Sequence, residues 1–241
     1  MELEISIVAE KLFEIGGFPV TNAFLLAVLI GGSLSLLFFL AFRNKGLKPG
    51  NIQNFLEWIL ESYLNFIDSV THDRAKSEKV FPVAVSLFLL ILFSNLLELL
   101  PGLGLFKFLR SPSSDLNFTL ALAVFGIFFV NYSALKELGF FKYVGKFLNF
   151  KSPVLFFVGI LEGLGEFTRM LSLAMRLFGN LFAGETLLIV VGTGINWVLA
   201  YFVPLPFLAL EILVGFIQAF IFSSLIVVFY ATATEMEHGG Q

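Results

Sequence analysis

The sequence predicts an all-α integral membrane protein with about five membrane-crossing helices, the last two long and strongly tilted, and one interfacial amphipathic helix. Hydrophobic residues make up 58% of the 241 residues, charged residues only 14%, and the mean hydropathy is +0.92. Soluble domains, by contrast, carry about 25% charged residues. Several apolar tracts reach the length of about 20 residues that one helical span of a bilayer needs. One further segment has apolar residues at helical spacing and acids on its other faces.

The apolar tracts divide one domain, residues 1–241, into successive spans. The first and third tracts are uncharged, whereas the second contains Asn95 and Glu98. The last two tracts exceed the length of one span, so they must tilt, break or extend past the bilayer. We therefore expect a tilted helix hairpin at the end of the chain. The five tracts are residues 22–42, 80–100, 116–135, 153–190 and 195–234.

Residues 51–70 differ from these tracts because their apolar side chains form a stripe along a helix. Glu57, Glu61 and Asp68 lie on other faces, so attraction to anionic lipid does not anchor this helix. We expect it to lie in the membrane interface and to pack against a partner subunit, with a plain surface helix as the alternative. The stripe consists of Ile52, Phe55, Leu56, Ile59, Tyr63, Ile67 and Val70.

The basic residues predict the orientation of the chain, because loops on the cytoplasmic side are enriched in Lys and Arg. If each tract crosses once, the basic residues divide ten to three, which predicts an outer N-terminus and a cytoplasmic C-terminus. The ten are Arg43, Lys45, Lys48, Arg74, Lys76, Lys79, Lys136, Lys142, Lys146 and Lys151, and the three are Lys11, Lys107 and Arg110.

Several classes of function are excluded by composition. The chain has no Cys and only two His, so the sequence predicts no disulfide, no metal site and no cofactor. A net charge of −3 gives no basic surface for nucleic acid. No phosphate-binding loop of the GxxxxGK[ST] type is present, so the sequence predicts no nucleotide site of that type.

The charged residues within the last two tracts are the candidates for function, because a charge at bilayer depth costs about 2.5–3.5 kcal/mol on insertion scales. One polar stripe follows a single helix face at steps of three or four residues. Glu185 comes nine residues after Arg176 and faces the other side, whereas Glu211 and Gln218 share a face of the next helix. The stripe consists of Glu162, Glu166, Arg169, Ser172, Arg176 and Asn180.

Arg176 is the central residue of this pattern. A guanidinium stays protonated even when it is buried, so Arg176 is a permanent positive charge within the membrane. The sequence offers no carboxylate three or four residues away to neutralise it. Such a charge repels protons and metal cations but attracts the carboxylate of a partner. Glu185 and Glu211 can change protonation, which suits them to a proton relay leading to that carboxylate.

Structural roles compete with functional ones for several of the polar residues. An ion pair between Glu166 and Arg169 is the favoured interpretation of their spacing. Glu162 is either solvated near the inner surface or part of the ion path. Asn180 and Gln218 can be channel residues or can form interhelical hydrogen bonds.

Asn95 and Glu98 lie on the outer third of the second span. They either line an outer aqueous entry or extend their polar groups to the interface. Both interpretations fit a polar side chain at this depth.

Several segments of the sequence carry a resemblance to a known family. The most specific are MRLFGNLFAGE (Met175 to Glu185), preceded by LEGLGEFTRMLSLA, and EILVGFIQAFIFSSLIVVFYATA near the C-terminus. Weaker matches are FSNLLELLPG, SSDLNFTLALA and GGFPVTNAF. In this order they resemble subunit a of the F-type ATP synthase, the stationary part of its membrane ion channel, and the resemblance covers most of the chain.

The resemblance implies a subunit that is not catalytic on its own and that works in the cell (inner) membrane. Its implied partners are the c-ring, whose identical subunits each carry one membrane-embedded carboxylate, the peripheral-stalk subunit b and membrane lipid. Arg176 matches the essential arginine that separates two half-channels. The outer half-channel would use Asn180, Glu185, Glu211 and Gln218, with Glu98 and Asp115 nearer its mouth, and Glu162 and Ser172 match positions on the inner exit side.

One departure from the family bears on the ion. Some members place a His at one of the positions of Glu185 and Glu211, with an acid at the other, whereas this chain has Glu at both. A relay would then use two coupled carboxylates. The expected ion is the proton, with Na⁺ as the alternative.

Two other classes of function compete with this assignment. An ion-coupled secondary transporter would function without a partner ring. A membrane-embedded enzyme acting on lipid would need a nucleophile, a metal cluster or an acid pair facing one leaflet. The absence of Cys and of clustered His weakens the second of these.

Overall fold

The computed structural model describes residues 11–15, 18–43, 50–97, 111–139, 143, 145, 152–194 and 204–234. Six long helices make up most of this part of the chain. A short β-hairpin precedes them, and a one-turn 3₁₀ helix precedes the fourth. In chain order the elements are β1 (Lys11–Ile15), β2 (Phe18–Thr21), α1 (Asn22–Arg43), α2 (Asn51–Thr71), α3 (Arg74–Leu97), the 3₁₀ turn (Pro112–Ser114), α4 (Leu116–Leu138), α5 (Pro153–Gly194) and α6 (Pro204–Thr234).

The all-α membrane class predicted from the sequence is confirmed. Four helices are long and apolar enough to cross a membrane: α1, α3, α4, and residues Leu205–Thr234 of α6. Helix α5 is longer than any of them at 42 residues, but it carries the charged residues singled out above. At about 1.5 Å per residue it exceeds the roughly 30 Å hydrocarbon thickness about twofold.

Among the described residues, the N-terminal hairpin is the one departure from an all-α chain. Strands β1 and β2 pair antiparallel, with Ile15 opposite Phe18 and Lys11 opposite Thr21. Phe18, Val20 and Thr21 are residue types that favour strands, and two glycines separate the strands in the sequence. The hairpin lies directly before α1, and the Thr21 hydroxyl accepts from the backbone N–H of Phe24 at 3.2 Å.

Helices α3 and α6 form the centre of the bundle and run antiparallel. Asn95, near the end of α3, contacts Gly215 in the first half of α6, whereas Lys76, near the start of α3, donates to the carbonyl of Thr234 at 3.2 Å. Buried side chains fill the interface between these helices and their neighbours α4 and α5. The largest fully buried side chains include Tyr230, Phe222 and Ile91.

Polar contacts join three helices at one end of the bundle. Glu137, at the end of α4, accepts from Lys79 at 2.8 Å and from the buried Tyr230 hydroxyl at 3.2 Å. The start of α3 therefore lies beside the ends of α4 and α6. We call this end of the bundle the Glu137 end. Asn131 of α4 contacts Glu166 in the first half of α5, so α5 begins at the same end.

Helix α2 packs against its own chain. Tyr63 and Ile67 are buried against α3 and α6, and the Tyr63 ring stacks on Phe88 with centroids 5.2 Å apart. The opposite end of the stripe is open, since Ile52 is 70% exposed and Phe55 59% exposed. Half of the stripe therefore packs within the chain, and packing of the open half against a partner subunit stays a prediction.

Candidate functional site

The site is built where α5 and α6 cross. Asn180 of α5 donates from its side-chain amide to the Gln218 carbonyl oxygen of α6 at 3.0 Å. One turn further along α5, Gly184 lies against the Glu211 carboxylate, which comes seven residues before Gln218. The helices are antiparallel, so moving from Asn180 to Gly184 along α5 corresponds to moving back from Gln218 to Glu211 along α6. The residues that the sequence placed on a common face of α6 therefore both meet α5.

Glu211 and Glu185 form a pair of partly or wholly buried carboxylates. Glu211 is only 9% exposed, and neither of its carboxylate oxygens has a hydrogen-bond partner in the described part of the chain. One oxygen of Glu185 is also buried and unpaired there. The two carboxylates lie close enough for their charges to interact. Buried acids without donors are costly to keep ionised, so this pair is suited to bind and release a cation.

Glycine at position 184 makes room for the Glu211 carboxylate. A Cβ built on Gly184 would overlap Oε1 of Glu211, so there is no space for a side chain at this position. The side chain of Glu211 thus rests directly on the α5 backbone. Any larger residue at this position would displace the carboxylate.

Arg176 lies on the exposed face of α5. Within the described ranges no salt bridge or hydrogen bond of its guanidinium is found. Its helix neighbours Leu173, Ala174 and Leu177 are buried, so the helix packs into the bundle on one side and presents the cation on the other. The lack of a neutralising acid on the same helix, which the sequence indicates, therefore extends to the described residues of the neighbouring helices.

Two cavities lie on either side of Arg176 along α5. The first, about 270 Å³, lies between α4, α5 and α6 and includes Glu162, Glu166 and Arg169. The second, about 240 Å³, lies between α5 and α6 and includes Asn180 and Glu211. At about 1.5 Å per residue, Arg176 is roughly 15 Å from Glu166 and 6 Å from Asn180 along the helix axis. The buried residues Leu173, Ala174 and Leu177 occupy the α5 segment between the two cavities.

The polar residues of the first cavity do not form the ion pair that their spacing suggests. No salt bridge joins Glu166 to Arg169 in the structure described. Instead, Asn131 donates to Glu166 at 3.0 Å, and the Arg169 guanidinium lies 5.3 Å from the centre of the Phe229 ring. A cation over an aromatic face and an amide donor to the acid thus replace the expected contact. Neither partner could be identified from the helical spacing of α5 alone.

The remaining candidates are dispersed. Ser172 is exposed on the α5 face that carries Arg176. Asp115, which the resemblance placed near the channel mouth, is 4% exposed and caps α4, because its Oδ1 accepts from the backbone N–H of Asn117 at 2.9 Å. Asn95 is buried between α3 and α6. Glu98 lies outside the described residues.

Sequence reasoning missed the residues that support the site rather than form it. Gly184 sits in the motif GNLFAGE, which gives no sign of its contact with Glu211, and Asn131 lies in a tract, residues 116–135, that carries no charge. Gly215, which contacts Asn95, was also missed. The signal for Asp115 as a cap was available, since Asp is a favoured residue just before a helix.

The chain is similar to one protein-family model and to several known proteins that share a name. The family model described as ATP synthase A chain matches residues 23–231. The protein named ATP synthase subunit a from Campylobacter concisus is 35% identical, over 83% of this chain and 85% of its own length. That from Syntrophobacter fumaroxidans is 37% identical over 80% and 77%, and ATP synthase subunit a 1 from Syntrophotalea carbinolica is 36% identical over 91% and 86%. The chain therefore belongs to the ATP synthase A chain family of multi-pass membrane proteins.

Proposed function

We propose that this chain is the stationary ion-translocating subunit of the ATP synthase membrane sector and is not catalytic on its own. Two offset half-channels pass ions to and from a rotating c-ring, whose carboxylates meet Arg176 in turn. Arg176 prevents ions from leaking directly between the half-channels. The peripheral-stalk subunit b holds the chain in place, and its remaining apolar surface contacts lipid.

The observation that carries this proposal is the position of Arg176 between two separate cavities. Its guanidinium is exposed and has no ionic partner among the described residues, while the helix segment behind it packs without polar groups. A permanent cation there repels any ion that moves along α5 from one cavity to the other. An ion can then pass only as a neutral complex with a carboxylate supplied by the ring.

The outer half-channel corresponds to the cavity near Glu211. Its polar groups come from α5 and α6, with Asn180 and Gln218 in direct contact and Glu185 close to Glu211. The inner half-channel corresponds to the cavity near Glu162, which lies toward the Glu137 end. Ser172 lies on α5 between that cavity and Arg176, in line with the exit. The carboxylate pair takes up the ion and the amide pair lies on the way to Arg176.

The surroundings of Glu211 favour the proton over Na⁺. Apart from Asn180 and Glu211, the residues that line the outer cavity are Leu, Ala, Gly, Phe and Val. A dehydrated Na⁺ needs several oxygen ligands to replace its hydration shell. A proton needs only one carboxylate oxygen, and two neighbouring carboxylates can hold one proton between them.

The exposed face of α5 suits contact with a turning partner. Its large side chains are apolar and uncharged around Arg176, with Leu171 42% exposed and Met175 48% exposed, and Gly179 has open space above it. A largely apolar face around the fixed charge of Arg176 can slide past identical helices that each carry one acid. Small residues such as Gly179 also allow close approach of a helix.

The test is the Arg176→Ala variant in the assembled complex, reconstituted in vesicles. We expect ATP-driven proton uptake to be lost, because no charge then separates the half-channels or displaces the proton from the ring carboxylate. Passive proton leak through the membrane sector should rise at the same time. Both quantities are measured with a pH-sensitive dye inside the vesicles.

Arg169→Ala is the matched control, since it removes the same charge from an exposed position on the same helix. We expect this variant to slow proton uptake without abolishing it, because Arg169 stacks on Phe229 and does not lie between the cavities. Near-normal proton uptake in Arg176→Ala would refute the proposal.

A further inference from the structure

One side-chain hydrogen bond joins α3 to the backbone of α6 beside the site. The amide nitrogen of Asn95 donates to the carbonyl oxygen of Gly215 at 2.8 Å, and Asn95 is only 2% exposed. The two residues are 120 positions apart in the chain. A backbone carbonyl already used within a helix is a directional acceptor fixed to that helix. The hydrogen bond therefore forms only at one rotation of α6 relative to α3, and it can hold α6 in that rotation.

The contact is close enough that a methyl group on the α6 side would press against Asn95. A Cβ built on Gly215 would lie 3.1 Å from the Cβ of Asn95, tighter than nearly all real contacts. Gly215 is itself buried. Small residues at helix crossings in membranes allow backbones to approach and side chains to reach the facing backbone. Asn95 and Gly215 thus form a fitted pair rather than a chance contact.

Gly215 shares its face of α6 with the two residues that meet α5. It follows Glu211 by four positions and precedes Gln218 by three, so at about 100° per residue all three lie within an arc of roughly 60°. On this arc Glu211 rests on Gly184, and Gln218 accepts from Asn180. A rotation of α6 by half of that arc would break either contact.

We propose that Asn95 is a positioning residue, whose amide fixes the rotation of α6 so that Glu211 and Gln218 both face α5. The positioning role itself does not depend on the proposed function. Only its effect on ion transfer rests on that function, because the function gives Glu211 and Gln218 their roles in the ion path. The role differs from that of a residue lining a water path. It uses the amide nitrogen of Asn95, whereas the amide oxygen, which is buried without a partner in the described chain, is the atom that water would use.

Disulfide cross-linking between α5 and α6 tests the rotation directly. The natural chain has no Cys, so paired variants give unambiguous products. Asn180→Cys with Gln218→Cys reports the native rotation, and Asn180→Cys with Val214→Cys reports a rotated one. In the complex in membranes we expect Asn95→Leu to lower the first cross-linking yield and raise the second. The ratio should change about fivefold, as losing the net contribution of one hydrogen bond predicts.

Ser94→Ala is the matched control. Ser94 is the neighbouring residue of α3, is fully buried, and has a side-chain oxygen without a partner in the described residues. Its loss changes the core of α3 without touching the bond to Gly215, so the cross-linking ratio should stay as in the natural chain. If Asn95→Leu fails to accumulate, Gly215→Ala separates the same pair from the other side and should change the ratio in the same direction.

Proton uptake, measured without the added Cys, separates the two proposals. A changed cross-linking ratio with proton uptake reduced on the order of tenfold supports both, since small misplacements of this kind have effects of that size or larger. A changed ratio with normal uptake keeps the positioning role and refutes the roles given to Glu211 and Gln218. An unchanged ratio in Asn95→Leu or Gly215→Ala overturns the positioning role, whatever the uptake.

Discussion

Glu211 owes its chemistry to what surrounds it within a few ångströms. Its carboxylate is buried on α6, lies against the backbone of Gly184 and has the charge of Glu185 nearby. Water is the usual partner of a carboxylate, and burial removes most of it. A side chain in this position has few ways to satisfy its charge other than binding a cation. The room left by Gly184 is therefore as much a part of the site as the acid.

Gly184→Ala tests this dependence. The added methyl group would overlap the Glu211 carboxylate, so the carboxylate must move away from α5. We expect ATP-driven proton uptake to fall by about tenfold or more, because displacements on the order of 1 Å have effects of that size. Uptake is measured in vesicles at equal amounts of assembled complex.

Gly165→Ala provides the control for this substitution. It lies on the same helix, and a Cβ there has open space within 4 Å. Both variants gain the same helix propensity, so only the contact with Glu211 distinguishes them. Equal proton uptake in the two variants would show that Glu211 tolerates displacement.

The sequence predicted which residues of the site carry charge but not how they are held. Periodicity placed Glu211 and Gln218 on one face of a helix, and the structure brings that face against α5. Periodicity is a property of one helix, so it contains no information about the partner across the interface. That is why Asn131 beside Glu166 and the stacking of Arg169 on Phe229 came only from the structure.

At the scale of single elements, α2 shows how an amphipathic helix can serve its own chain. The Tyr63 ring stacks on Phe88 of α3 and meets Phe220 of α6 edge to face at 6.4 Å. Burial raises the pKa of Tyr63 to about 12, and the nearby Ser223 hydroxyl offsets this only in part. The Tyr63 hydroxyl makes no hydrogen bond of ordinary geometry with the described residues. The ring, not the hydroxyl, holds α2 in place.

Tyr63→Phe and Tyr63→Ala separate the two contributions. Loss of the unpaired hydroxyl should leave thermal stability in detergent unchanged or raise it slightly, whereas loss of the ring should cost about 3–5 kcal/mol. The raised pKa makes the neutral phenol the folded form. The stability that the neutral Tyr63 phenol adds to the folded state is thus fully present below pH 10, the ordinary pKa of Tyr. It declines as the pH rises toward about 12. Tyr63→Phe should remove that alkaline decline, and an equal decline in both proteins would contradict the assignment.

Glu137 connects the ends of three helices, and its two partners differ in burial. Lys79 has a side chain that is 60% exposed, so its ion pair contributes less than about 1 kcal/mol. Tyr230 is fully buried, and removing its acceptor leaves an unpaired hydroxyl at a cost of about 1–3 kcal/mol. We therefore expect Glu137→Ala to lower the unfolding temperature more than Lys79→Ala does. Tyr230→Phe combined with Glu137→Ala should recover part of the loss, and no recovery would argue against this bond.

Hydropathy predicted which segments form helices better than it predicted the residues at which those helices begin. Helix α3 begins at Arg74, before the apolar tract begins at Val80, because a helix continues through a polar first turn that hydropathy does not register. The hairpin of β1 and β2 was missed for a related reason. Its strands are short, and a pattern of four or five residues is too brief to separate a strand from a loop. The packing of α2 on α3 and α6 depends on both partners and could not be read from its stripe.

At the scale of the whole molecule, contacts between helix ends gather basic residues at one end of the bundle. The start of α3 and the ends of α4 and α6 meet at Glu137, and α5 begins at that end as well. Arg74, Lys76, Lys79 and Lys136 all belong to this end. The positive-inside rule assigns an end rich in basic residues to the cytoplasm. The first cavity would then open inward, and the cavity at Glu211 would belong to the outer half of the membrane.

Single Cys variants test this orientation, because the natural chain contains none. Lys136→Cys places a thiol at the exposed Glu137 end, and Asn117→Cys places one at the exposed start of α4, where the backbone N–H that Asp115 caps is kept. In inside-out vesicles a membrane-impermeant maleimide should label Lys136→Cys and spare Asn117→Cys, and in right-side-out vesicles the pattern should reverse. Since one helix joins the two positions, labelling of both from the same side would mean that α4 does not cross the membrane. The reverse pattern would place the cavity at Glu211 on the cytoplasmic side and exchange the inlet and outlet of the ion path.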